Sequence, residues 1–165
     1  MPERPGARRD GTARRRVTAR LTLAALWGLG LAAAATPATG EDPAGSIRAG
    51  VYTEAQAGRG AYAYPVACGK CHGYLLDGAP DDPDMFSTPP IGGPKFLRNW
   101  NGRSLGALFE YARTTMPVNN PGFLPDQELA DVLAYMLQQS GLPAGEIELR
   151  PDPDRLGRIV IEAGS

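Results

Sequence analysis

At 165 residues, 42% of them hydrophobic and with a formal charge of −1, the chain is long enough for one domain with its own core and too short for two. The near-neutral total hides an asymmetry: residues 1–40 hold seven of the 17 basic groups and two of the 18 acidic ones, so residues 41–165 carry ten against 16, a charge of about −6. That acidic remainder has no basic stripe for nucleic acid, and it favours a partner with a basic docking patch.

In chain order, Arg14, Arg15 and Arg16 precede an apolar stretch of 15 residues from Leu21 to Ala35, which ends in small and turn-forming residues. A bilayer span needs roughly 20 apolar residues, so residues 1–40 read as a cleaved secretory signal peptide rather than an anchor, and the rest as an exported, periplasmic protein. Residues 41–52, rich in Gly, Ala and Pro, are expected to be a flexible lead-in. Thr53-Glu-Ala-Gln56 has the form of a capping box and predicts a helix from 54 to Tyr64, ended by Pro65. From Gly73 to Trp100 five prolines predict a long loop, a feature that calls for a cofactor to organise it. Residues Ala79 to Thr88 read as an acidic insertion within it. Ser104 caps a second helix, with Leu105, Leu108, Phe109 and Ala112 on one face. A third helix, from about Pro125 to Gln139, buries Leu129, Val132, Leu133, Met136 and Leu137. Residues 143–165 are expected to be an irregular tail with at most a short strand. With so much irregular chain, little core is expected apart from the cofactor.

The chemistry lies in Cys68-Gly69-Lys70-Cys71-His72, which joins the only two cysteines to the only histidine. This is the C-x-x-C-H haem attachment motif: two thiols one turn apart add to the two vinyl groups on one porphyrin edge, and the next residue offers its imidazole to the iron. One covalent haem c is therefore the expected cofactor. Three rival readings fare worse. A thioredoxin-like redox pair lacks the alternating strands and helices of that fold and leaves His72 idle. A zinc site lacks a fourth Cys or His ligand. A core histidine beside two inert cysteines leaves the spacing to chance.

Because no second histidine exists, the sixth iron ligand is another residue type or none. Met136 belongs to a helical core face, and Met85 lies only 13 residues beyond His72. Met116 comes after the second helix, and Pro117 pushes it out of helical geometry. It opens the non-helical segment Asn119-Asn120-Pro121-Gly122 and is the expected axial ligand opposite His72. The leading function is then single-electron transfer with both axial positions filled. The alternative, a haem enzyme or gas sensor with an open sixth site, lacks a distal histidine for acid–base work.

These residues, together with Gly93-Pro94, Asn99-Trp100-Asn101-Gly102 and Thr114-Thr115-Met116-Pro117, resemble class I cytochromes c. They are most similar to the mono-haem domains associated with periplasmic quinoprotein alcohol dehydrogenases. The resemblance covers residues 51 to 146 and implies a small, mainly α fold, with crossed N- and C-terminal helices and long loops around one haem in a domain over 53–142. It implies that Gly60 and Tyr64 meet Leu133 and Tyr135 or Met136. It further implies that Pro94 or the Pro89-Pro90 pair offers a carbonyl to His72, and that Trp100 serves a haem propionate. The partners implied are a dehydrogenase-type electron donor and a respiratory acceptor, such as a terminal oxidase or another cytochrome, without any membrane span in the mature chain.

Overall fold

A computed structural model of the protein describes residues 45–83 and 88–164. The expected leader, the first residues of the lead-in and Met85 lie outside the described residues.

The fold is mainly α, as the resemblance implies, and its helices start where their caps do. The Thr53 hydroxyl accepts from the Gln56 amide at 3.2 Å and opens α1, Glu54–Tyr64. The Ser104 hydroxyl accepts from the Ala107 amide at 3.1 Å and opens α4, Leu105–Thr115. The longest helix, α5, Asp126–Gln139, has no side-chain cap. Asp126 and Glu128 in its first turn instead place negative charge against the free amides of the helix start.

Two of these elements cross at van der Waals contact. A β-carbon on Gly60 of α1 would stand 1.9 Å from the Asp131 carbonyl oxygen and 2.9 Å from Tyr135 Cβ on α5, so only glycine permits the approach. One turn on, the Tyr64 and Tyr135 rings are 5.5 Å apart. Beside the crossing lies a polar cluster built around the buried Asp131 and Gln56. The Arg59 guanidinium donates to Asp131 at 2.8 Å and to Glu148 at 2.9 Å, while Gln127 donates to Asp131 at 3.1 Å. Gln56, fully buried, completes it: its side-chain amide donates to Asp131 at 3.0 Å and to the Leu149 carbonyl at 2.7 Å, and its oxygen accepts from the Leu149 amide. The reciprocal half of the capping box therefore does not form, because Gln56 is committed to the core. Burial pushes the Asp131 carboxyl up, but the hydrogen bonds from Arg59, Gln127 and Gln56 and the charge of Arg59 outweigh it and hold the group below the ordinary carboxylate range.

Four expectations need correction. First, Pro65 does not end the helical path. Proline has no N–H and its ring crowds the carbonyl a turn earlier, so the chain widens into a π-helical turn over Pro65–Gly69 and resumes as α2, Lys70–His72. Second, the stretch from 73 to 100 is not loop throughout: α3 spans Gly93–Trp100 with Pro94 in its first turn, where a missing N–H costs nothing. Third, residues 45–52 of the lead-in are not a flexible segment. Strand β1, Gly45–Ser46, pairs in parallel with β2, Ile159–Val160, and Ile47, Val51 and Tyr52 are buried. Fourth, residues 143–164 are no irregular tail. Asp152 caps α6, Pro153–Gly157, and Leu149, Leu156, Ile159 and Ile161 belong to the same core as the three long helices.

That core is larger than the sequence suggests, because residues 45–52 and 142–163 fold onto it. Residues 159–163 also hold the corner between α3 and α4: the Gly102 amide donates to Ile161, the Ile161 amide to Arg103, each at 2.8 Å, and the Ala163 amide to the Asn101 side chain. Among the described residues no helix is long and apolar enough to cross a membrane.

Candidate haem site

The π-helical turn and α2 present the motif. Cys68 is half-buried, Cys71 exposed and His72 half-buried on the last turns of one helical path. Both thiols are free. Burial, and to a lesser degree the neighbouring Cys71, pushes the Cys68 thiol up to about 11.

The residues after His72 hold its ring in place. Gly73 takes φ +77°, a left-handed backbone region that favours glycine, and its carbonyl accepts from the buried Tyr64 hydroxyl at 2.7 Å. The His72 carbonyl accepts from the Gly78 amide at 2.8 Å, which folds the next loop back over the helix end. Leu76 anchors that loop: it is 1% exposed, its φ is +62°, and its carbonyl accepts the amides of Ile91 and Gly92. A leucine in this conformation costs on the order of 1 kcal/mol, offset here by burial of its side chain.

The loop thereby delivers the Pro89 carbonyl to 3.0 Å from His72 Nδ1. A carbonyl only accepts, so Nδ1 carries the ring proton and Nε2 keeps its lone pair, the tautomer that binds iron. Thr88 supports the arrangement, its hydroxyl donating to the Cys71 carbonyl and standing 3.4 Å from His72 Nδ1. Of the carbonyl sources considered, Pro89 fills the role; Pro94 does not, since it lies exposed in the first turn of α3.

Met116 is half-buried and sits just past α4 in an extended conformation, φ −119° and ψ 149°, as the next residue, a proline, requires. Its loop closes on itself: the Gly122 amide donates to the Met116 carbonyl at 3.2 Å and the Asn120 amide to Pro117 at 2.8 Å. Met136 is buried in the core face of α5. Trp100 ends α3, half-buried, with its ring centroid 5.8 Å from that of Tyr111 and the Arg103 guanidinium 4.0 Å from the ring centre. Thus Cys68, Cys71, His72 and Pro89 are brought together, while Met116 and Trp100 belong to the α3–α4 side of the fold.

Does this set fit a haem? The donor chemistry does: two thiols a turn apart, followed by an imidazole with a free Nε2. So does the apolar surface, for large side chains left exposed fall beside the motif, at Val66, and beside Met116, at Val118 and Phe123. Large apolar side chains left exposed beside candidate ligands suit a binding surface, and a broad, flat, apolar, metal-bearing ring is a ligand that would cover them. Thr88, the Tyr64 hydroxyl and Leu76 escaped sequence reasoning. Only Tyr64 carried any signal, its place one turn before the motif.

A family model described as cytochrome C oxidase, cbb3-type, subunit III, matches residues 54–136, just over half of the chain and the stretch holding every candidate ligand. No curated protein and no solved structure matches the chain.

Proposed function

We propose that this chain, which belongs to the family of cbb3-type cytochrome c oxidase subunit III and is therefore a class I c-type cytochrome with covalently bound haem c, carries single electrons in the periplasm between a dehydrogenase-type donor and a respiratory acceptor. When bound, one haem supplies a one-electron couple at its iron. Cys68 and Cys71 would hold it through thioethers, and His72 Nε2 and the Met116 thioether would ligate its iron, a thioether favouring the reduced state and so raising the potential.

The observation that carries the reading is the bond from His72 Nδ1 to the Pro89 carbonyl, 3.0 Å, on a loop pinned at Leu76 and Thr88. It fixes the imidazole before any ligand arrives and increases its basicity. A carrier gains from such rigidity, because an electron moves fastest when little around the iron rearranges. The extended, self-closed loop at Met116 supports a second fixed ligand in the same way. No proton or group needs to move, so no side chain is assigned an acid or base role. The family's description as an oxidase subunit supports a respiratory acceptor. A dehydrogenase donor, such as a quinoprotein, rests on the resemblance of the sequence, and export on the arginine-led apolar stretch at residues 14–35.

The test is the visible spectrum of the ferrous protein before and after carbon monoxide, beside Met116→Ala. A wild type that ignores the gas and a variant that binds it support the carrier. Ready binding by the wild type would mean an open sixth site and would favour an enzyme or sensor.

A further inference from the structure

We propose that the face beside Cys71, made by Tyr74, Leu75 and the carboxylates of the loop after them, is where a redox-partner protein with a basic, apolar-centred patch docks. The inference rests on the reading of Cys68 to His72 as the haem site and adds to it the surface and the chemistry of the partner.

Three observations carry it. The Tyr74 ring lies against the backbone between the two cysteines, 2.9 Å from where a β-carbon on Gly69 would stand, so this face begins at the attachment segment itself. Tyr74 and Leu75 are 61% and 82% exposed although both are large and apolar. They form one wall of an open cleft of about 440 Å³ whose remaining lining includes Asp77, Asp81 and Asp82.

The composition decides the occupant. Carboxylates spaced along an apolar wall are suited to cations spread over a protein surface. A free cation would also leave Leu75 and Tyr74 in water, whereas a protein patch covers both, with apolar contact at the centre and charge at the rim. Lysine and arginine match such a cleft particularly well, since their apolar stems lie along Tyr74 and Leu75 while their heads reach the carboxylates. The charge of about −6 over residues 41–165 adds long-range attraction of the same sign. The loop is also fixed in advance, by Gly78 to His72, Ala79 to Asp77 and the buried Leu76, so docking orders little that is loose. In the complex one electron leaves the iron of this protein as one enters the oxidised metal centre of the partner; no proton or group is transferred.

The experiment tracks oxidation of the ferrous holoprotein by stopped flow, with a lysine-rich cytochrome c as the protein oxidant and ferricyanide as a small anionic one. The rate with the basic protein is expected to fall as ionic strength rises. The variant Asp81→Asn/Asp82→Asn should lower the low-salt rate by about tenfold, flatten that salt dependence, and raise the rate with ferricyanide. Leu75→Ser should slow the basic protein at all salt concentrations and leave the spectrum unchanged. The proposal is overturned if the wild-type rate rises with salt, if the Asn pair leaves it unchanged, or if Leu75→Ser alters the visible spectrum or admits carbon monoxide, which would make Leu75 part of the haem cover. A protein that holds no covalent haem overturns the haem reading and this one with it; a haem-loaded protein that fails the kinetic test overturns the docking face alone.

Discussion

The crossing of α1 with α5 and the face that carries Cys68, Cys71 and His72 lie on one helical path, yet they are completed in different ways. At the crossing the protein supplies everything itself. Gly60 lets the backbones touch, Asp131 has three donors, and Gln56 satisfies both backbone groups of Leu149. At the haem face the polar groups are equally well placed, with Gly73, His72 and Cys71 all bonded, but the apolar side chains are not covered: Val66 is 72% exposed and Val118 79%. The lesson is a division of labour in which the crossing holds the fold and the face holds chemistry whose cover is the cofactor. Substitutions at the two places should therefore have separable consequences, stability without spectrum at the first and spectrum without unfolding at the second.

The sharpest way to break the comparison is Gly60→Val. Its β-carbon would meet backbone, at 1.9 Å from the Asp131 oxygen, and backbone cannot step aside. A loss of about 3 kcal/mol is expected, read as a lower denaturation midpoint of the haem-loaded protein, with unchanged absorption maxima in whatever remains folded. A shifted spectrum would show that crossing and haem face are not independent.

Next comes Asp131→Ala, which leaves Gln56 with one partner fewer in the core and deprives Arg59 of its buried one. Because the Arg59 side chain is itself 46% exposed and keeps Glu148, the expected cost is about 2 kcal/mol and not the larger figure of a fully buried pair. The same carboxylate predicts an acid dependence. Its folded value lies below the ordinary one, so as pH falls the unfolded chain takes up the proton first. Its stabilising contribution is whole above the unfolded value, about pH 4, and is lost as pH falls through the lower folded value. Chemical denaturation of the wild type and Asp131→Asn between pH 6 and 2 checks this, since the Asn variant should lose less stability over that acid range.

Smaller effects sharpen the boundary between the two regions. Tyr64 belongs to both, its ring tilted against Tyr135 and its hydroxyl donating to Gly73. Tyr64→Phe keeps the ring contact and loses the bond, for about 1 kcal/mol. If Gly73 then loosens, the variant should also admit carbon monoxide or shift in potential, and an unshifted potential would assign Tyr64 to the crossing alone. Thr53→Ala removes only a helix cap, at about 1 kcal/mol or less by denaturation, with no spectral change.

The same physics governs how much the sequence disclosed. The helices at 54–64, 105–115 and 126–139 were legible because local signals determine them: Thr53 and Ser104 are caps, and the apolar positions of the last helix repeat at helical spacing. The motif at Cys68 to His72 was legible because its chemistry demands that spacing. Helix α3 was hidden by its own proline, Pro94, a residue that counts against a helix everywhere but in the first turn. Residues 45–52 and 143–163 were hidden because their order comes from distant partners: Leu149 is bonded by Gln56, Ile161 by Gly102 and Arg103, and β2 by β1, none of which leaves a periodic trace. For the same reason Gln56 read as a capping residue when it is a core one, and the carbonyl that orients His72 could be narrowed to a few prolines but not to Pro89. Leu76 had no signal, since a leucine at φ +62° is set by the loop around it.

The most direct test of the central claim, that the uncovered face holds a haem bound through Cys68 and Cys71, is the mass of the intact protein made with haem-attachment machinery, taken after denaturation and acid–acetone extraction. The account predicts one added haem that survives extraction and is lost in Cys68→Ala/Cys71→Ala. A wild type whose mass is that of the bare polypeptide, or whose haem leaves entirely with the solvent, would contradict it.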